Sequence, residues 1–167
     1  VIIRASDMGK TAAELPTELD ADADFRARIQ SIWVQAGIKM GLARKDGTPM
    51  TEAELAASET IPKVCIIAEP SAEEAAAGAN VRVRYFTPQA AHKSLAVTGA
   101  CLAACCLVPG TVADGIAKGL EPLGPDVKDH IVRMANPAGL LKSTINGAMK
   151  DGVDTIPSAA YERSTQI

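Results

Sequence analysis

The spacing of hydrophobic and polar positions changes several times along this chain, and each change marks an element. Val1, Ile2 and Ile3 are β-branched and apolar and read as a strand already under way. A domain seldom starts without a lead-in, so we expect the chain to be a piece of something longer. The next stretch, "SDMGKTAAELPTELDADAD", is turn-rich and acidic, a surface excursion. Then Phe25, Ile29, Ile32, Trp33, Ala36 and Met40 recur at helical spacing, with Arg28, Gln35 and Lys39 on the other faces. Asp20 or Asp22 is placed to cap this helix, Gly41 to end it, and Trp33 to anchor a core.

From Ala43 to Thr60 the pattern is that of a polar loop with a short helical turn. "KVCIIA", Lys63 to Ala68, predicts a buried strand. The Ala- and Glu-rich stretch Ser71 to Asn80 reads as a flexible connector. In "VRVRYF" Val81, Val83 and Tyr85 alternate with Arg82 and Arg84, which predicts a strand with one face wet. Thr98 is a suitable N-cap, and Gly99 to Val108 has helix length before Pro109 and Gly110 stop it. Every residue from Ala100 to Val108 is apolar or a thiol. A helix apolar on all sides must be buried on all sides, which predicts an α+β fold with sheet wrapped around a central helix. After a Gly/Pro-rich connector, Thr111 to Pro125, "HIVRM" and "GLLKSTINGAM" predict two strands around the tight turn Asn136 to Gly139. The tail "PSAAYERSTQI" gives little pattern.

Composition narrows this picture. A chain of 167 residues fits one domain, residues 1–167, with enough bulk for a core. Hydrophobic residues make up 47% but aromatics only 3%, so Ala, Val, Ile and Leu must fill that core. A net charge of -3 gives no electrostatic reason to expect nucleic acid or an anionic membrane surface as a partner. No apolar run approaches the roughly 20 residues of a membrane span, and the opening lacks the pattern of a signal peptide. Four cysteines in this setting read as reduced thiols, and we expect a cytoplasmic protein.

Few residues stand out chemically. Cys101 and Cys105 are four apart, yet no His, Asp or Glu accompanies them, so we expect no metal. Cys65, Cys105 and Cys106 read as core. Cys101 lies in the first helical turn, where amide dipoles lower a thiol pKa, so it is a candidate catalytic group as well as a core residue. Thr98, Gly99 and the amides of that turn suit a carboxylate, with glycine letting a ligand approach the backbone; an ordinary N-cap is the alternative. Lys63, beside an apolar strand, serves as a base if desolvated, or else extends to solvent. His92 stands in the polar lead-in to the helix, where it either contacts a ligand or is an exposed structural histidine. No Ser-His-Asp set, phosphate loop or paired carboxylates emerge.

The ordered series "VIIRASDMG", "ELP", "GIKMGL", "PKVCIIA", "HKSLAVTGA", "PGT" and "NPAG" resembles the C-terminal half of the methylaconitate isomerase (PrpF) family. That family includes aconitate isomerases, methylitaconate isomerase and oxalomesaconate tautomerase. The resemblance implies the diaminopimelate epimerase-like fold, two similar domains each with a sheet rolled around a central helix and a site in the cleft between them. The all-apolar helix fits that central position. It also implies cofactor-free proton shuttling on unsaturated di- and tricarboxylic acids. The family's catalytic lysine and its cysteine, in an Asn-Cys-Gly-type loop, belong to an N-terminal half that is absent here. Lys63 and the Thr98–Gly99 turn resemble internal counterparts of those elements and would bind substrate carboxylates. Asn136, Pro137, Ala138 and Gly139 depart from the family's common His-Pro-Ser-Gly, losing two hydrogen-bonding groups while Asn136 keeps an amide donor and Gly139 the turn.

These expectations amount to half of an isomerase for an aconitate-like acid, inactive as this chain alone, with the missing N-terminal domain as its partner. Two alternatives stay open. One is a non-catalytic binding or assembly domain that pairs with itself. The other is an amino-acid epimerase of the same fold with Cys101 as an acid–base residue.

Overall fold

The computed structural model describes residues 1–162, apart from the side chains of Thr98 and Ala100. Its frame is a curled mixed sheet in which β1 (Ile2–Arg4), β2 (Val64–Ala68), β3 (Val81–Thr87), β5 (Lys128–Asn136), β6 (Gly139–Lys150) and β7 (Val153–Tyr161) follow one another, while β4 (Ala90–Ala91) pairs with β3 off this path. β1–β2 and β3–β5 are parallel and the other pairings antiparallel. The helices are α1 (Pro16–Ala21), α2 (Ala23–Lys39), α3 (Glu52–Ala57), α4 (Ala72–Ala76) and α5 (Cys101–Leu107). Among the described residues no helix is long and apolar enough to cross a membrane.

Strand periodicity divides the core in two. Cys65, Ile67, Val81, Val83, Tyr85, Val132, Met134 and Ile145 face α5. Val64, Ile66 and Phe86 face the other way, onto Phe25, Ile29 and Trp33 of α2 and Leu55 of α3. Since neighbouring strand residues point to opposite faces, the run "KVCIIA" must be apolar throughout to serve both sides.

α2 forms where its spacing predicts. The Asp22 carboxylate accepts the Phe25 N–H at 2.9 Å, and Phe25, Ile29, Trp33 and Gly37 bury one stripe. At its end Gly41 takes φ 67°, while its N–H donates to the Ile38 carbonyl and that of Leu42 to the Gly37 carbonyl. Trp33 is the core anchor, fully buried, with its indole N–H donating to the Leu55 carbonyl at 2.9 Å. Ile32 and Ala36 are only half-buried and Met40 is exposed, because Val34 and Gly37 take their share of the contact.

The structure corrects four readings. Ser71 to Asn80 is no flexible connector: Ser71 and Glu74 form a capping box at the start of α4, and Glu74 pairs with Arg82 at 2.8 Å. Residues 157–161 of the tail complete β7, whose residues are mostly exposed on both faces and so carry no hydrophobic alternation. Arg84 is not wet; it is buried and donates to the carbonyls of Glu14 (2.7 Å), Ala13 (3.1 Å) and Val83 (2.9 Å). A planar guanidinium with five donors satisfies that loop from inside, which an exposed cation on a strand would not do. Finally, the apolar segment is a 3-10 turn, Val97–Ala100, followed by the seven-residue α5, and it is not buried on all sides. Leu102, Ala103 and Leu107 are buried, whereas Cys101 is exposed and Ala104, Cys105 and Cys106 are half-buried.

Candidate functional site

Strand register sets the candidate residues at different levels of the sheet. Val64 pairs with Phe86, so Lys63, one residue earlier, stands at the C-terminal end of β3. β4 turns back on the same end, and the His92 N–H donates to the Tyr85 carbonyl at 2.7 Å. β5 runs parallel to β3 but pairs only with its first residues, Val81 opposite Met134 and Arg82 opposite Ala135, so Asn136 stands level with Val83, short of the end where Lys63 lies. A cavity of about 220 Å³ opens between the segment that follows β4 and the strands β6 and β7, lined by His92, Ser94, Leu95, Val97, Leu141 and Tyr161. Drug-sized ligands occupy sites of roughly 300–1,000 Å³, so this one suits a small acid.

His92 is the most constrained polar group in it. Its ring meets Tyr85 edge-on at 5.9 Å, and its Nδ1 accepts the Ser94 N–H at 3.0 Å. Leu141 enters through its pairing with Met134, and Tyr161 through its pairing with Ser143. Sequence reasoning passed over Tyr161, since nothing in an Ala- and Ser-rich tail marks a strand; an aromatic closing that run was the one available signal.

The helix entry is built differently from the expected anion site. The Gly99 N–H donates to the Ala96 carbonyl at 2.8 Å, so the 3-10 turn already uses it. A Cβ at Gly99 would lie 2.4 Å from Leu95 Cδ1 and 2.8 Å from its Cγ, so glycine here makes room for a core leucine. The Thr98 side chain lies outside the described residues.

Lys63 is half-buried, and its carbonyl accepts from the Val1 nitrogen at 2.6 Å; its ammonium forms no ion pair among the described residues. Lys63 and Cys101 do not line the cavity. Burial pushes the Cys65 thiol up to about 12, with smaller upward contributions from the neighbouring Cys105 and Cys101. Burial likewise raises Cys106 to about 12. All four cysteines are free, and Cys101 alone is exposed. No group of three or more His, Cys, Asp or Glu among the described residues is placed to hold a metal.

The departed turn is self-contained. Asn136 Oδ1 accepts the Ala138 N–H at 3.0 Å, and its Nδ2 donates to the Met134 carbonyl at 3.4 Å. Ala138 and Gly139 are exposed, and Gly139 takes φ 118° where the hairpin reverses. The side-chain oxygen of Asn136 is therefore engaged within the turn, and one N–H of its amide leans on the strand behind it.

Comparison with known proteins gives this arrangement a context. The chain is 36% identical to the YbhH protein of Escherichia coli (strain K12) over 167 residues, which is 99% of this chain and 41% of that protein. It is 31% identical over 118 residues to the 4-oxalomesaconate tautomerase of Pseudomonas putida, covering 70% of this chain and 28% of that one. The chain thus spans about two fifths of the length of the first of these relatives. Among solved structures, methylitaconate-delta-isomerase superposes with a TM-score of 0.69 at 22% identity, over 96% of this chain and 43% of the other. That likeness establishes the fold, α+β of the diaminopimelate epimerase-like kind. The model of the PrpF protein family matches residues 1–167 from end to end, and the chain belongs to that family.

Proposed function

We propose that residues 1–167 form one domain of a cofactor-independent isomerase, which moves a double bond or changes cis/trans geometry in an aconitate-like unsaturated di- or tricarboxylic acid. The observation that supports this reading is the small cavity beside His92, with polar groups from Ser94 and Tyr161, in a chain matched by the PrpF model throughout. A relative that matches it is named an oxalomesaconate tautomerase, an enzyme whose chemistry is proton relocation.

The reaction needs little besides geometry. A base takes a proton from the carbon next to the carboxylate-bearing double bond, and the electron pair spreads over the allylic system and its carboxylate. A proton then returns at the other end, or at the same carbon after rotation, and nothing is oxidised or reduced. Donors aimed at the carboxylate stabilise the charge as it develops. In this chain His92 and the hydroxyls of Ser94 and Tyr161 are suited to that work, and Lys63, half-buried and outside the cavity lining, is a further candidate for a substrate carboxylate. The exposed Cys101 thiol, outside the cavity lining, is a secondary acid–base candidate. The remaining length of the relatives supplies the principal proton-transfer groups, so this chain alone holds substrate without turning it over.

The test is an assay of this chain alone, and of the protein carrying it at the relatives' full length, with cis- and trans-aconitate followed by ultraviolet absorbance. We expect turnover from the longer protein only. Absence of isomerisation of any unsaturated di- or tricarboxylate by the longer protein would reject the proposal.

One observation favours a second reading, a non-catalytic binding or assembly domain: Asn136 closes its own turn where the family's common pattern offers two hydrogen-bonding groups. This reading expects the chain to self-associate and to ignore citrate-like acids. A monomer that binds them speaks against it.

A further inference from the structure

We propose that His92 is locked as the neutral Nε2–H tautomer and acts on substrate as a fixed hydrogen-bond donor to a carboxylate oxygen, not as the proton-abstracting base. The inference rests on the reading of this cavity as a carboxylate site and assigns one residue a definite role there.

Three contacts fix the imidazole. Its backbone N–H is tied to the Tyr85 carbonyl at 2.7 Å, which anchors the residue where the chain leaves β4. Its ring packs edge-on against Tyr85, with an interplanar angle of 83°. Its Nδ1 accepts the Ser94 backbone N–H at 3.0 Å. A main-chain N–H is always a donor, so the nitrogen facing it must carry a lone pair. In a neutral imidazole the proton then resides on Nε2. That nitrogen has no hydrogen-bond partner among the described residues, and His92 lines the cavity.

The same contact defines what His92 does not do. A base needs a free lone pair, and the single lone pair of this tautomer is held by Ser94. Taking a proton at Nδ1 would set two N–H groups against each other and break the contact that orients the ring. Donation from Nε2–H costs nothing of that kind. A carboxylate oxygen, or the enolate-like oxygen it becomes as charge spreads, is the matching acceptor.

The tautomer is readable directly from two-bond nitrogen–proton correlation spectra of the 15N-labelled chain. His92 and His130 are the only histidines, so a His92→Gln variant assigns the signals. We expect Nδ1 at the shift of a bare nitrogen and Nε2 at that of a protonated one, and a Nδ1–H pattern overturns the inference whatever the function. Titration with cis-aconitate then separates the two claims. Movement of His92 Nε2 together with the amides of residues 94–97 supports both. Movement of those amides with His92 Nε2 unchanged keeps the carboxylate site and rejects this role for His92. No movement anywhere rejects the carboxylate site and the role with it. In the longer protein, His92→Leu should raise KM for the acid about tenfold, the scale of one charge-assisted hydrogen bond, with kcat changed far less. His92→Gln, whose amide nitrogen takes the place of Nε2–H, should stay within about threefold of the parent. A loss of kcat with unchanged KM in both variants would identify His92 as the base and refute the proposal.

Discussion

Burial separates cysteines that adjacency in the sequence would group together. Cys105 and Cys106 are neighbours in the chain, yet it is Cys106, with Cys65 on β2, whose thiol burial pushes up to about 12. Cys101, four residues before Cys105, is exposed. Only a thiolate attacks an alkylating reagent, so a raised pKa and lost access act in the same direction. Iodoacetamide at pH 8, read residue by residue in a mass spectrometer, should therefore modify Cys101 first and Cys105 after it. Cys65 and Cys106 should stay unmodified until the chain unfolds, and labelling of Cys65 at the rate of Cys101 would contradict its place against α5. Part of this was legible in the sequence, since Cys65 sits inside an unbroken apolar strand. The rest was not, because an all-apolar helical segment does not say which of its sides the sheet covers. Arg84 shows the same limit. Alternation places it opposite Val83 and Tyr85, but the carbonyls of Ala13 and Glu14 that draw it inward come from a loop seventy residues away.

Elements with local signals were recovered best. α2 has its cap, its stripe and its terminating glycine within its own sequence, and its ends fall where those residues predict. β7 has none of these signals, and only its pairing with β6 makes it a strand. α3 lies between the two cases, a short helix in a polar loop, held by a capping box between Thr51 and Glu54 and by Arg44. The Arg44 guanidinium, bonded to both Glu54 oxygens at 2.7 Å, is the main cause that holds that carboxyl down to about 2, with the Thr51 N–H and hydroxyl adding to it. A carboxyl depressed on folding stabilises α3 fully above its ordinary value of 4.5, and the contribution fades as pH falls through about 2. Trp33 reports on this directly, because its indole bonds the Leu55 carbonyl within α3 and it is the only tryptophan. Its emission should shift to the red as pH falls from about 4.5 to about 2. Glu54→Ala should give part of that shift already at neutral pH. An identical acid profile in parent and variant would show that the capping box does not hold α3.

At the scale of the whole molecule, the sheet joins two cores that share no side chains. Ile66 points into the core with α2 and Trp33, and Ile67, the next residue, into the core with α5; both are fully buried. The α5 side carries the candidate cavity, and the α2 side carries none of its lining. What connects them is the β2 backbone, paired to β1 on one edge and β3 on the other. If this frame is one cooperative unit, a cavity on either face must weaken both. Truncating a fully buried isoleucine costs about 2–5 kcal/mol. Ile67→Ala should then lower the urea midpoint seen by Trp33 by nearly as much as Ile66→Ala, although Ile67 belongs to the opposite core. Two outcomes are physically distinct here. Coincident shifts mean that α2 and α3 stabilise the sheet against which the cavity is built, so that its polar groups keep their positions through packing on the far side. A midpoint that moves only for Ile66→Ala would mean that the two faces unfold separately, and that the cavity depends on α5 and the β5–β6 hairpin alone.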